Sequence, residues 1–192
     1  MPDRNQAALD FLLTRRSRPA KTLTGPAPDR AALEPILTAA ARSPDHGKLE
    51  PWRFIVLERG ALDRLADLVD VRGADLGEAP EQVAKMRSAF ADSPLAVVVV
   101  SAPVDSPKVP QVEQLYSAGA VCLALLNAAL ASGWGANWLT GWATYDRDFL
   151  RDGLGLADHE TVAGIIHIGT ETSAPPERPR PDLAALTTWM DT

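Results

Sequence analysis

Six apolar residues in a row, Leu95-Ala96-Val97-Val98-Val99-Val100, constrain this chain more than any other feature. Four successive β-branched valines favour extended backbone. A strand with no polar alternation has to be covered on both faces, which places it at the centre of a sheet. Val162 to Ile168 reads as a second core strand, Phe54 to Leu57 as a third buried one, and Ala136 to Leu139 as a short fourth.

Helical periodicity occupies much of the rest. Ala7, Leu9, Leu12 and Leu13 suggest a first helix, with Asp3 as its N-cap, followed by a loop from Leu23 to Pro28. Asp29 then caps a helix whose stripe is Leu33, Ile36, Leu37, Ala40 and Ala41, spaced at i, i+3, i+4, i+7 and i+8. Helices are expected over about 61–71 and 80–90, broken by Gly73 and Gly77, and the second is charged enough to be a mobile lid over 72–92. A long helix at about 112–132 is apolar nearly all round and so is buried. Asp146 caps a short helix, and residues 172–192 form a proline-bearing extended tail. Helices are grouped and strands few, which gives a single α+β domain over 1–192.

The 192 residues carry a net charge of −6, which argues against a nucleic-acid binder. Cys122 is the only cysteine and lies in an apolar run, so no internal disulfide exists and an inert thiol is expected. The longest apolar stretch, 118–131, is too short for a membrane span, and Met1 to Leu13 lacks a signal pattern, so no membrane and a cytoplasmic location are expected. No GxGxxG follows a strand, no phosphate-binding P-loop or GxSxG elbow occurs, and His46, His159 and His167 have no metal spacing. No metal is expected, and an enzyme of this kind needs a cofactor to carry its reaction.

Three segments could hold one. Arg15, Arg16, Arg18 and Lys21 fall within seven positions with no acid between them, in an otherwise acidic protein. Such a cluster is either a solvated face or an anion site, and Arg15-Arg16-Ser17 is suitable equipment for a terminal phosphate. Arg42 and His46 flank a turn in SPDHGKLEPWRF, where Pro44, Gly47 and Pro51 shape a loop that could hold polar groups against a planar ring. Gly133 to Trp142 is dense in indoles and small residues, and its backbone with Thr140 could grip a heteroaromatic edge.

Together these segments resemble the nitroreductase family, in particular its short single-domain bacterial branch. Arg15-Arg16-Ser17 is similar to the family's phosphate motif. Pro44, Asp45, His46, Pro51 and Trp52 reproduce the branch's loop. Lys108-Val109-Pro110, Glu113-Gln114 and Ser117-Ala118-Gly119 resemble the lead-in to its central helix, and Gly164 to Thr170 its terminal core strand. The resemblance covers about residues 6–171.

It implies a nitroreductase-like fold, with a mixed or antiparallel sheet flanked by helices around a long buried central helix. It also implies a homodimer with FMN at the interface. Arg15, Arg16 and Ser17 would hold the phosphate and ribityl end. Arg42 and His46 would reach the partner's flavin, with His46 a candidate proton donor, while Trp138, Leu139 and Thr140 line the cofactor. Ala128, Ala129, Leu130, Ala131, Ser132 and Gly133 are the implied NAD(P) site. The expected activity is ping-pong hydride transfer from NADH or NADPH through flavin N5 to a small-molecule acceptor such as a nitroaromatic, quinone or enone. A non-catalytic flavin carrier or sensor, a specialised reductase such as a dehalogenase, and a cofactor-free helical interaction module are the alternatives. Where many members carry a basic residue near flavin N1, this chain has Pro19, leaving Arg18, Lys21 or Lys48 to compensate.

Overall fold

The computed structural model describes residues 3–191, so Met1, Pro2 and Thr192, the ends of the expected domain and tail, lie outside the described residues. The valine run is the middle of β3 (Leu95–Ser101), and all seven of its residues are buried. It pairs antiparallel with β2 (Trp52–Leu57) on one edge and β5 (Thr161–Glu171) on the other, with a bulge after Val99. β5 also pairs with β4 (Gly135–Leu139) and, through its last two residues, with β1 (Leu23–Thr24). Every pairing is antiparallel.

Alternation along β3 splits its side chains between two cores. Val97 and Val99, with Ile166 and Ile168 of β5, meet Leu33, Ile36 and Ala40 of α2 (Arg30–Ala40) and Val121, Leu125 and Ala129 of α5 (Gln111–Ala131). Ala96, Val98 and Val100 meet Leu62, Leu65 and Val69 of α3 (Arg59–Leu76) and Phe90 of α4 (Pro80–Ala91). α5 is long and apolar enough to cross a membrane by length and composition. Its buried side instead packs on the sheet, where burial pushes the Cys122 thiol up to about 12.

Asp29 caps α2 as expected, its carboxylate accepting from the Ala32 amide at 2.9 Å. Other elements differ from expectation for identifiable reasons. α1 (Gln6–Thr14) is capped by Asn5, not Asp3, because Asn5 Oδ1 reaches the Ala8 amide at 3.0 Å. The start of the expected loop at Leu23 is a strand, because β5 overruns its core and offers Thr170 and Glu171 for pairing. β2 is an edge strand with only Leu57 buried, not a fully covered one. Gly73 does not break the first helix of the 72–92 region. It lies inside α3 against Val83, where an added Cβ would come within 2.5 Å of Val83 Cγ2. α4 contacts the domain through Phe90, which is wholly buried against Phe149, and its Arg87 pairs with Asp67 and Asp70 of α3. Asp146 does cap a short helical turn, Phe149–Gly153, whose hydrogen bonding is of the wider π type. In the tail a short α6 (Leu183–Leu186) forms with its apolar residues exposed.

The edge strand β2 is fastened to the start of β5 by a bidentate ion pair. Arg53 donates to both carboxylate oxygens of Glu160 at 2.6 and 2.7 Å, and the Ala157 amide donates to the same carboxylate. The Arg53 guanidinium holds the Glu160 carboxyl down at about 2, from an ordinary 4.5. A carboxyl lowered on folding stabilises the native state above its unfolded pKa, and this contribution disappears as pH falls through the native value. Glu160→Gln is therefore expected to lose about 1–3 kcal/mol at pH 7. It should also flatten the acid limb between about 4.5 and 2 in equilibrium unfolding. An unchanged acid limb would show that other carboxyls carry it.

Candidate active site

A cavity of about 550 Å³ opens between α4, β4 with the turn after it, and the turn Pro19–Lys21. That volume falls within the roughly 300–1,000 Å³ of small-molecule sites. Two-residue alternation decides which β4 side chains reach it. Asn137 and Leu139 line the cavity, with Ile165 and His167 beside them on β5. Ala136 faces the α2–α5 core, and Trp138 lies against Gly164, where an added Cβ would fall 2.0 Å from its Nε1. Of the three expected cofactor-lining residues here, Leu139 and Thr140 line the cavity and Trp138 does not.

The basic segment is stitched to the same strand. The Arg18 amide donates to Ala136 O at 2.8 Å, and Asn137 Nδ2 donates to Arg18 O at 2.7 Å. Arg15 donates to Ser17 Oγ at 3.1 Å, while its Nε is buried with no partner among the described residues. Burial lowers the Arg15 pKa first, and the neighbouring charges of Arg180, Arg16 and Arg18 lower it further. Arg180, from the tail, therefore joins this cluster. Two carboxylates offset it: Glu177 pairs with Arg180 at 2.8 Å and Arg16 at 3.6 Å, and Glu171 pairs with Arg18 at 2.8 Å. Four guanidiniums against these two partners leave an excess of two positive charges and an orphaned buried donor. A phosphate monoester, at −1.5 to −2, would neutralise both. The cluster and the adjoining cavity fit a nucleotide cofactor with a flat ring.

α4 forms one wall of the cavity through Lys85 and Met86, so the expected lid region, 72–92, contributes directly. Lys21 and Lys85 both line the cavity; Lys48 does not. Residue reading alone missed Lys85, Asn137 and His167. The β4–β5 register is the signal that would have found the last two, since Asn137 and His167 are cross-strand partners.

Arg42 and His46 lie elsewhere. His46 Nδ1 is 2.7 Å from Glu113 Oε2 of α5, and both groups are exposed. Arg42 is exposed beside a shallow depression on α2. Their loop is pinned to α5 by Ser117, which accepts from Trp52 Nε1 at 3.1 Å and donates to Pro44 O at 2.7 Å. Gln114, also on α5, holds Val104 and Val109. The residues that lead into the central helix thus build the loop's support. Ala128 to Gly133 form the last turn of α5 and its cap. The Trp134 amide returns to Ala129 O and the Gly133 amide to Leu130 O, with Gly133 at φ 85°, the left-handed cap that favours glycine. None of these six residues lines the cavity.

The nitroreductase family profile matches residues 12–170. A protein of Haemophilus influenzae named "Putative NAD(P)H nitroreductase" is 40% identical over 168 residues, covering 85% of this chain and 88% of that one. The fold is similar to the crystal structure of a nitroreductase-like family protein from Bacillus cereus, with a TM-score of 0.80 at 22% identity and 100% of both chains covered. It is also similar to NfnB of Sphigopyxis sp. strain HMH, described as an FMN- and NADPH-dependent nitroreductase, with a TM-score of 0.73 at 20% identity over 96% of this chain and 99% of that one. From a profile match over most of its length and a relative 40% identical over 85% of it, the chain belongs to the nitroreductase family of oxidoreductases.

Proposed function

We propose that the cavity and its arginine cluster bind FMN, and that the protein is an NAD(P)H-dependent reductase of a small oxidised acceptor. The observation that carries this reading is the buried, unpartnered Nε of Arg15 within a cationic cluster joined to the cavity wall. The NAD(P)H nitroreductase name of the Haemophilus relative and the FMN and NADPH dependence stated for NfnB support it. FMN bound there would supply the relay of a hydride from NADH or NADPH to an acceptor such as a nitroaromatic, quinone or enone.

The chain's own residues bind, orient and shield. Arg15, Arg16, Ser17 and Arg180 hold the phosphate, and Leu139 and Thr140 position the ring. Lys21 and Lys85, which both line the cavity, provide positive charge beside the ring. One cavity must take donor and acceptor in turn, so turnover is ping-pong. Differences within 72–92, which supplies the α4 wall, set the choice of acceptor. A supply of NAD(P)H places the enzyme in the cytoplasm on this reading.

The active unit is a homodimer. Val112, Leu115, Tyr116 and Leu123 leave an apolar stripe exposed on α5, and Leu183, Leu186 and Trp189 are exposed on the tail. In the dimer, Arg42 and His46 reach the partner's flavin, and the end of α5, residues 128–133, faces the nicotinamide nucleotide. The test is the visible spectrum of the purified protein after FMN is added and the excess removed. Stoichiometric bound flavin that NAD(P)H bleaches is expected. Flavin retained but never bleached would make the protein a carrier or sensor, and no retained flavin at saturating FMN would overturn the proposal.

A further inference from the structure

His167 sits mid-strand in β5, between Ala96 of β3 and Asn137 of β4, and borders the cavity although it is only 2% exposed. Its Nδ1 lies 2.9 Å from Ser93 Oγ, and Ser93 Oγ also reaches Leu95 O at 3.0 Å. A hydroxyl has one proton to give. With that proton committed to the Leu95 carbonyl, Oγ accepts from Nδ1–H, and the imidazole is locked in one tautomer. Nε2 is then an unprotonated acceptor with no hydrogen-bond partner among the described residues. Burial pushes His167 down to about 4, so the ring is neutral at pH 7.

Apart from Ser93, the other polar side chains on this cavity are less buried than His167: Gln82 and Thr140 are exposed, and Asn137, whose Oδ1 can also accept, is half-buried. The Lys21 and Lys85 ammoniums are donors only. Asn137 Nδ2 is occupied by Arg18 O, and the Asp92 carboxylate, which is exposed, takes the Ser88 hydroxyl. The arginine cluster claims the phosphate end of a bound flavin, which puts the ring in the cavity. An oxidised isoalloxazine ring has several acceptors on its polar edge and a single N–H donor, N3–H, between two carbonyls. We infer that Nε2 of His167, fixed by Ser93, is the buried acceptor that takes the flavin N3–H and so sets the depth and orientation of the pyrimidine ring. This inference rests on the flavin reading above. It assigns His167 as a positioning residue and Ser93 as the group that sets its tautomer.

The test compares FMN with 3-methyl-FMN, which lacks that donor, by fluorescence titration of the wild-type protein, His167→Leu and Ser93→Ala. Wild type should bind 3-methyl-FMN about tenfold more weakly than FMN, the scale of one hydrogen bond left unmade. His167→Leu keeps the bulk and loses the acceptor, so its preference should collapse toward unity, and Ser93→Ala should reduce it. Ring-nitrogen NMR of wild-type protein labelled at histidine covers the case of a variant that does not fold. An unprotonated Nε2 is expected, with a resonance that moves on adding FMN and not on adding 3-methyl-FMN. A protonated Nε2, an unmoved resonance, or equal discrimination in wild type and His167→Leu would overturn the assignment while leaving flavin binding intact. Wild type that binds neither compound would overturn the flavin reading and this inference together.

Discussion

Replacing Arg15 with alanine is expected to lower FMN affinity roughly 100-fold while leaving riboflavin affinity nearly unchanged. A charge-assisted hydrogen bond is worth about 1.5–3 kcal/mol, and about 1.4 kcal/mol is a factor of ten. Arg15 has an unpartnered Nε and a single side-chain partner, Ser17, so most of its donor capacity is free for a phosphate. Riboflavin lacks the phosphate and serves as the internal control. Arg180→Ala should show the same selectivity at roughly tenfold, because Arg180 is half exposed and already shared with Glu177. The stability of the apoprotein should respond in the opposite sense. Burial and three neighbouring arginines disfavour the Arg15 charge, so its removal should leave the FMN-free protein at least as stable as wild type. Titration with both flavins, alongside thermal melts, checks this. Equal losses for FMN and riboflavin would make Arg15 a structural residue, and no loss for either would place the phosphate elsewhere.

The second large effect is expected at Gly164. Three atoms of the Trp138 indole lie 2.0 to 2.8 Å from where a Cβ would sit, so alanine forces the indole off the sheet. Overpacking of this kind costs typically 1–3 kcal/mol, and the indole's loss of contact puts Gly164→Ala near the top, at about 3 kcal/mol. At roughly 2–4 °C per kcal/mol for a domain of this size, the melting temperature should fall by about 6–12 °C. Trp138→Ala in the same chain removes the clashing group, so the double variant should recover most of that loss. Additive losses in the two single variants would mean that the glycine is required for backbone reasons unrelated to the indole.

The sequence made the centre of this fold legible and its periphery much less so. β3, α2 and α5 were readable because each satisfies a strong local pattern: unbroken β-branched residues, a 3.6-residue stripe after an aspartate cap, and an apolar surface nearly all round. β1 was not, since Leu23 and Thr24 become a strand only when Glu171 and Thr170 arrive from the far end of the domain. Gly73 was misread for a related reason. A glycine in a helical pattern reads as a break until Val83 of the next helix is seen packed against it.

The site shows the same division. The Arg15–Lys21 charge run announced itself in sequence, and so did the Leu139–Thr140 segment. Trp138 looked like part of that segment, but strand alternation sends it to the other face of the sheet. Lys85 and His167 had no local signature. α4 and β5 bring them to one cavity from positions far apart in the chain, and no motif connects them.

β5 makes one segment responsible for nearly all of the sheet, since β1, β3 and β4 each pair with it. Until Thr161–Glu171 has been synthesised, β1 and β4 have no strand to join, and one edge of the valine strand is open. That edge is long and apolar, the kind on which nascent chains pair with one another. Sheet closure is therefore a non-local step in which the pieces with the strongest local preferences wait for a segment made well after them. The same strand that gives the cavity its buried floor also sets how long the emerging chain needs protection from its neighbours.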